Sequence, residues 1–156
     1  MILIYIFSDR FTDNPWAFNM LGLLLERKQL YKGSAEAFYK ALELLGERNE
    51  NNTSRLDKIL LNYSRVLSNM DRYEEAIKHL KLIKIPTFAN QCELAFAFFK
   101  AKFYEDSYSS YETTLEWFAS DTEMKSHILV AMAAVVYLHQ GHEDAKILLM
   151  QSLVST

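Results

Sequence analysis

Four positions recur through this chain at a spacing that a stack of like units explains: Tyr31, Tyr73, Tyr104 and His142, at steps of 42, 31 and 38 residues. Three residues after each anchor stands a small residue: Ser34, Ala76, Ser107 and Ala145. Four further on stands a large one: Phe38, Leu80, Tyr111 and Leu149. Nine residues before each anchor is a second small residue, Gly22, Ser64, Ala95 or Ala133, preceded by Leu21, Tyr63, Leu94 or Met132. Three residues after that small site come Leu25, Leu67, Phe98 and Val136. Small side chains let two helices cross at about 8–10 Å, and large ones a turn away fill the gaps beside the crossing. The pattern therefore predicts paired helices repeated four times.

The rest of the chain agrees with helices. It has 156 residues, enough to bury a core, with only 4 Gly and 2 Pro to interrupt long elements. Asp13-Asn14-Pro15 supplies a cap followed by Pro at the first helical position. Ser120-Asp-Thr-Glu123 reads as a capping box, and Ser54 with Asp57 as a weaker one. Residues 46–53 are polar and loop-like, and Pro86 closes the second pair. Eight helices are expected at 15–28, 32–46, 54–69, 72–84, 88–101, 104–119, 122–139 and 142–154.

Trp16-Ala-Phe-Asn-Met-Leu-Gly22 and Tyr73-Glu-Glu-Ala-Ile77 resemble the tetratricopeptide motif most plainly. The longer steps fit its period of about 34 residues once loop insertions are added. Departures are Gln91, where a large apolar residue is usual, and Ile83, Thr114 and Ser152, which stand where the first repeat has Ala41. The expected fold is thus all-α: a tetratricopeptide solenoid of about four antiparallel helix pairs in a right-handed superhelix. Its repeats would span 15–46, 54–84, 88–119 and 122–154. Residues 1–14 read as the tail of a preceding helix and a linker. The apolar start Ile2-Leu-Ile4 and the amphipathic last helix, with no polar capping helix, read as the ends of a piece cut from a longer array. The alternative is a whole protein that hides its ends by dimerising.

Composition narrows the function. A formal net charge of −3 lacks the basic field that a sequence-independent grip on nucleic acid requires, so direct nucleic-acid binding is not expected. The single cysteine, Cys92, excludes an internal disulfide framework and fits a reducing compartment. No run of about 18 apolar residues is present, so no membrane-spanning helix is expected. His139 and His142 are neighbours, but no acidic residue or cysteine completes a metal set, and neither His79 nor His127 adds one. Glu74-Glu75 and Glu105-Asp106 suit the first turns of helices without any catalytic role. Cys92 has no base placed beside it by the repeat, and no Gly-rich phosphate loop occurs. The sequons at Asn51 and Asn62 are read as chance matches. No catalytic residue, metal or cofactor is expected.

What remains is a binding surface. In such arrays the first helix of each pair lines the concave face. In the register above that face carries Trp16, Asn19, Leu23, Lys58, Leu61, Arg65, Phe96, Phe99, Val130 and Tyr137. The mixture suits an extended peptide or a partner helix, although several of these residues could equally pack between repeats. A clamp for a C-terminal carboxylate, as in chaperone adaptors, would need cations and asparagines that only Asn62 matches. Leu23, Ala89 and Glu93 stand at the other places, and sliding the frame by one repeat does no better.

A longer ordered string carries a narrower resemblance. Ala37-Phe-Tyr-Lys-Ala41, Asn62-Tyr-Ser-Arg65, Asp71-Arg-Tyr-Glu-Glu-Ala-Ile77, Phe96-Ala-Phe98, Tyr104-Glu-Asp-Ser107, Tyr111-Glu112, Lys125-Ser-His-Ile-Leu129 and Gln140-Gly141 follow the opening motif. Together they resemble the tetratricopeptide scaffold subunits of the Superkiller (Ski) complex. The resemblance implies a cytoplasmic, non-catalytic scaffold, with the nucleus as a second compartment. Its implied partners are an RNA helicase and WD-repeat subunits, and indirectly the exosome in 3′-to-5′ mRNA decay. The motif positions are packing positions, so no partner-contacting residue carries over. The alternative function is a stand-alone peptide-binding adaptor in another complex.

Overall fold

The computed structural model describes residues 9, 10 and 13–154, apart from the His142 side chain. The apolar start, and with it most of the expected N-terminal tail, lies outside the described residues, as does the side chain of the fourth anchor. Among the described residues eight helices follow one another: α1 Pro15–Arg27, α2 Tyr31–Leu45, α3 Thr53–Asn69, α4 Tyr73–Leu80, α5 Phe88–Lys100, α6 Tyr104–Phe118, α7 Thr122–His139 and α8 His142–Val154. They form two compact units, residues 1–85 with α1–α4 and residues 86–156 with α5–α8. The fold is all-α. In each unit every helix packs on its sequence neighbour.

All eight small positions are buried, as their role at helix crossings requires. Gly22 lies directly under the fully buried Phe38 ring. Ser34 Oγ donates to the Gly22 carbonyl at 2.6 Å, and Ser107 Oγ donates to the Ala95 carbonyl at 2.7 Å. The hydroxyls thus bridge the same two sites in the first and third pairs. Around these crossings grow one core of Phe18, Phe38, Ile59, Tyr63, Val66 and Leu67, and another of Ala95, Tyr111, Ile128, Met132 and Val135. Full burial of a ring such as Phe38 contributes about 1.5–3 kcal/mol. Thr114 and Ser152 are also buried where the first repeat has Ala41; Thr114 returns its hydroxyl to the Ser110 carbonyl.

The turn inside each pair closes in one way. The backbone N–H of Leu30, Arg72, Phe103 and Gly141 reaches back to the carbonyl of Leu25, Leu67, Phe98 and Val136 respectively. That six-residue closure satisfies a carbonyl at the helix end, and in the first three pairs it runs through a left-handed residue. Gln29, Asp71 and Lys102, each just before the donor, supply it at φ of 60°, 59° and 67°; in the fourth pair Gln140 stays at −115° and the positive φ, 117°, falls on the donor Gly141 itself.

Four sequence expectations are corrected. The box at 120–123 is capped by Asp121, whose carboxylate accepts from Met124 N at 2.9 Å; Ser120 lies outside. The Ser54–Asp57 box does not form, because α3 starts at Thr53 and Asp57 turns elsewhere. For the same reason α4 stops at Leu80 rather than 84. Asp57 accepts from Lys84 N at 3.1 Å and Ile85 N at 2.9 Å, drawing that backbone out of helical register. Arg48 binds both sides, donating to Asp57 at 2.7 Å and to the Leu82 carbonyl at 2.8 Å. Leu149, expected to pack at a crossing, is 44% exposed; α8 buries Ala145 and Ser152 instead.

Candidate protein-binding surface

In the first unit, α1 and α3 lie side by side. Three cross-helix pairs join them, about one helical turn apart along α3 and one and then two turns apart along α1. Lys58 Nζ stands 5.6 Å from the Trp16 ring centre. Asn62 Nδ2 donates to Asn19 Oδ1 at 3.0 Å. Arg65 forms a two-pronged ion pair with Glu26, at 2.5 and 2.6 Å. The partners are separated by 42, 43 and 39 residues, close to one repeat, which brings equivalent turns of the two helices together.

The three rungs differ in what they leave for a ligand. Asn19 is 1% exposed, so its amide is committed to Asn62. Arg65 is partly exposed but is already paired with Glu26. Trp16 is exposed, and with Ser54, Arg55 and Lys58 it lines an open cleft. A cation over an exposed indole is worth about 0.5–1 kcal/mol, weak enough for a partner to displace. Leu23 packs partly against the core of this unit, and Leu61 is half-buried. Glu26 was missed by the sequence reading. Its signal was its distance from Arg65, within a few residues of a repeat, with opposite charge.

In the second unit Phe96, Val130 and Tyr137 are exposed. Phe99 packs partly on the core, with its ring 6.1 Å from that of Tyr104. The candidates here are therefore apolar and mostly accessible, whereas in the first unit the polar candidates Asn19, Lys58 and Arg65 are each already engaged by a neighbouring helix.

The groups that could do chemistry are engaged structurally. Burial, with the Glu93 charge adding to it, pushes the Cys92 thiol up to about 11, so it stays protonated at neutral pH. Tyr111 is raised further, again chiefly by burial. His79 and His127 turn Nδ1 to carbonyls of their own helices, at 2.8 and 3.0 Å. No group of three or more His, Cys, Asp or Glu side chains that could hold a metal occurs among the described residues. No helix among them is long and apolar enough to cross a membrane.

Solved structures share this fold. MamA residues 41-end from Desulfovibrio magneticus RS-1 superposes with a TM-score of 0.78 at 12% identity, covering 95% of this chain and 78% of that one. YrrB, described as a TPR protein with an unusual peptide-binding site, gives 0.77 at 13% identity, covering 96% and 72%. The chain has the tetratricopeptide-repeat fold. Relatives in sequence are longer proteins. Tetratricopeptide repeat protein 37 of Xenopus laevis is 32% identical over 148 residues, 95% of this chain. Superkiller complex protein 3 of Mus musculus is 35% identical over 139 residues, and that of Homo sapiens 30% over 150, or 89% and 96% of this chain. The chain spans about 9% of the length of each of these relatives. No family model matches it. This tetratricopeptide chain thus resembles one stretch of Superkiller complex protein 3.

Proposed function

We propose that this chain is a non-catalytic protein-interaction segment of a cytoplasmic Superkiller-type scaffold. It would hold an RNA helicase and WD-repeat subunits together for exosome-linked 3′-to-5′ mRNA decay. The observation that carries this reading is the 30–35% identity to Superkiller complex proteins, continuous over nearly the whole chain. The faces of the first helix of each pair, α1, α3, α5 and α7, are the proposed contact surfaces. In the first unit they offer Trp16, Lys58 and Leu61, held in place by the Asn19–Asn62 and Glu26–Arg65 rungs. In the second they offer Phe96, Val130 and Tyr137, with Phe99 behind them. Exposed aromatics beside a fixed polar frame suit a protein partner, because aromatic anchors dominate interface energetics.

The test is capture. The 156-residue chain, immobilised, is incubated with cytoplasmic extract and the retained proteins are identified by mass spectrometry. Retention of the helicase and WD-repeat subunits supports the reading. Their absence, with other proteins retained through short peptides, would favour a stand-alone peptide-binding adaptor. The open cleft beside Trp16 is the feature that would serve that alternative.

A further inference from the structure

A second cavity lies on the other side of the first unit. It is a pocket of about 560 Å³ between α2, α3 and the stretch that follows α4. Its apolar lining includes Leu42, Leu56, Leu60 and Leu82, with Tyr39 at the side. Tyr39 and Leu82 are 52% and 51% exposed, so two large apolar side chains flank the cavity in contact with water. On α3, Leu56 and Leu60 sit about half a turn away from Lys58, Leu61 and Arg65, so this pocket is separate from the face discussed above.

The pocket exists because of the Arg48–Asp57 network. By pulling Lys84 N and Ile85 N onto Asp57, it ends α4 early and lays residues 81–85 beside α3. The loop at its other edge is fixed too: Asn52 Nδ2 donates to the carbonyls of Leu45 and Glu47 at 3.2 and 2.9 Å. A cavity walled by such tied backbone is pre-organised, which lowers the ordering cost of binding. An aromatic row runs along one side. The His79 ring meets Tyr63 edge-on at 4.9 Å, and Tyr63 lies 6.4 Å from Tyr39.

The charges at the rim select a ligand. Glu43 is paired with Lys40 at 3.5 Å, and Arg48 with Asp57 at 2.7 Å. The Lys84 ammonium has no acidic partner among the described residues. The rim thus presents one uncompensated positive charge beside an apolar cavity. We propose that this pocket docks a short segment of a partner protein bearing one large apolar side chain next to a carboxylate. The side chain fills the cleft over Leu56 and Leu60, and the carboxylate pairs with Lys84. This goes beyond the scaffold reading and does not depend on it, because it concerns a different face.

The test is a titration of the isotope-labelled 156-residue chain, followed by NMR, with three N-acetylated, C-amidated tripeptides: Glu-Phe-Glu, Lys-Phe-Lys and Glu-Ser-Glu. Glu-Phe-Glu is expected to shift the methyl signals of Leu42, Leu56, Leu60 and Leu82 and to saturate with a Kd of about 1 mM or tighter. The other two peptides are expected to bind about tenfold more weakly. Lys84→Glu, at an exposed side chain, should leave the amide spectrum folded and reverse the order of the two Phe peptides. Leu82→Glu should abolish the shifts. Absence of saturable shifts, shifts that map to α5–α8, or an order unchanged by Lys84→Glu would overturn the proposal.

Discussion

Gly22 in α1 and Phe38 in α2 meet so closely that a Cβ on Gly22 would stand 2.6 Å from Phe38 Cε1. The ring is fully buried and cannot move aside without disturbing the core. An alanine at Gly22 would gain about 1 kcal/mol in helix propensity. The overlap outweighs that gain, so Gly22→Ala is expected to destabilise by about 1–3 kcal/mol. Urea unfolding measures this, and adding Phe38→Leu to Gly22→Ala should return part of the loss.

Two serines at small sites should behave in opposite ways. Ser34 donates to the Gly22 carbonyl, while the buried Ser64 hydroxyl has no hydrogen-bond partner among the described residues. Ser34→Ala is expected to cost about 1 kcal/mol, and Ser64→Ala to be neutral or stabilising. The comparison of their midpoints in urea, at unchanged slope, checks both.

The turns offer stabilising changes. Gln29 and Lys102 hold left-handed backbone that costs a side-chain-bearing residue about 1–2 kcal/mol. Glycine removes most of that cost, less its greater freedom when unfolded, so Gln29→Gly and Lys102→Gly should each stabilise by about 0.5–1 kcal/mol. Gly141→Ala should do the reverse. Thermal unfolding of the three variants gives the signs.

Cys92 should leave a mark on stability at alkaline pH. Its thiol is raised from the ordinary 9.0 to about 11 in the folded chain. Between those values the unfolded chain has lost the proton and the folded chain keeps it. Stability should therefore fall as pH rises from 9 towards 11, by the linkage of proton binding to folding. Cys92→Ala should remove that part of the slope. A thiol reagent at pH 8 should label the native protein far more slowly than the urea-unfolded one.

Much of the fold was legible because it rests on residue size at fixed spacing. Gly22, Ser34, Ala76 and Ser107 could be placed at crossings from the repeat alone, and all are buried. The end of α4 was not legible. It is set by Asp57, a residue of the preceding helix, competing for the N–H groups of Lys84 and Ile85. Local pattern sees a helix running to Lys84 because nothing nearby in sequence opposes it. Asp57 itself looked like half of a capping box; the positions of Arg48 and of the Lys84 and Ile85 N–H groups show otherwise. The candidate surface was half legible. The register named Asn19 and Arg65 as surface candidates but could not show that Asn62 and Glu26 already occupy them.

The most direct test is binding of the purified 156-residue chain to purified Superkiller helicase and WD-repeat subunits, by analytical gel filtration and calorimetry. Formation of a stable complex, weakened about tenfold or more by the paired changes Trp16→Ala and Tyr137→Ala, is the predicted result. A chain that folds normally and elutes apart from both subunits would contradict the scaffold reading and leave only the tetratricopeptide fold.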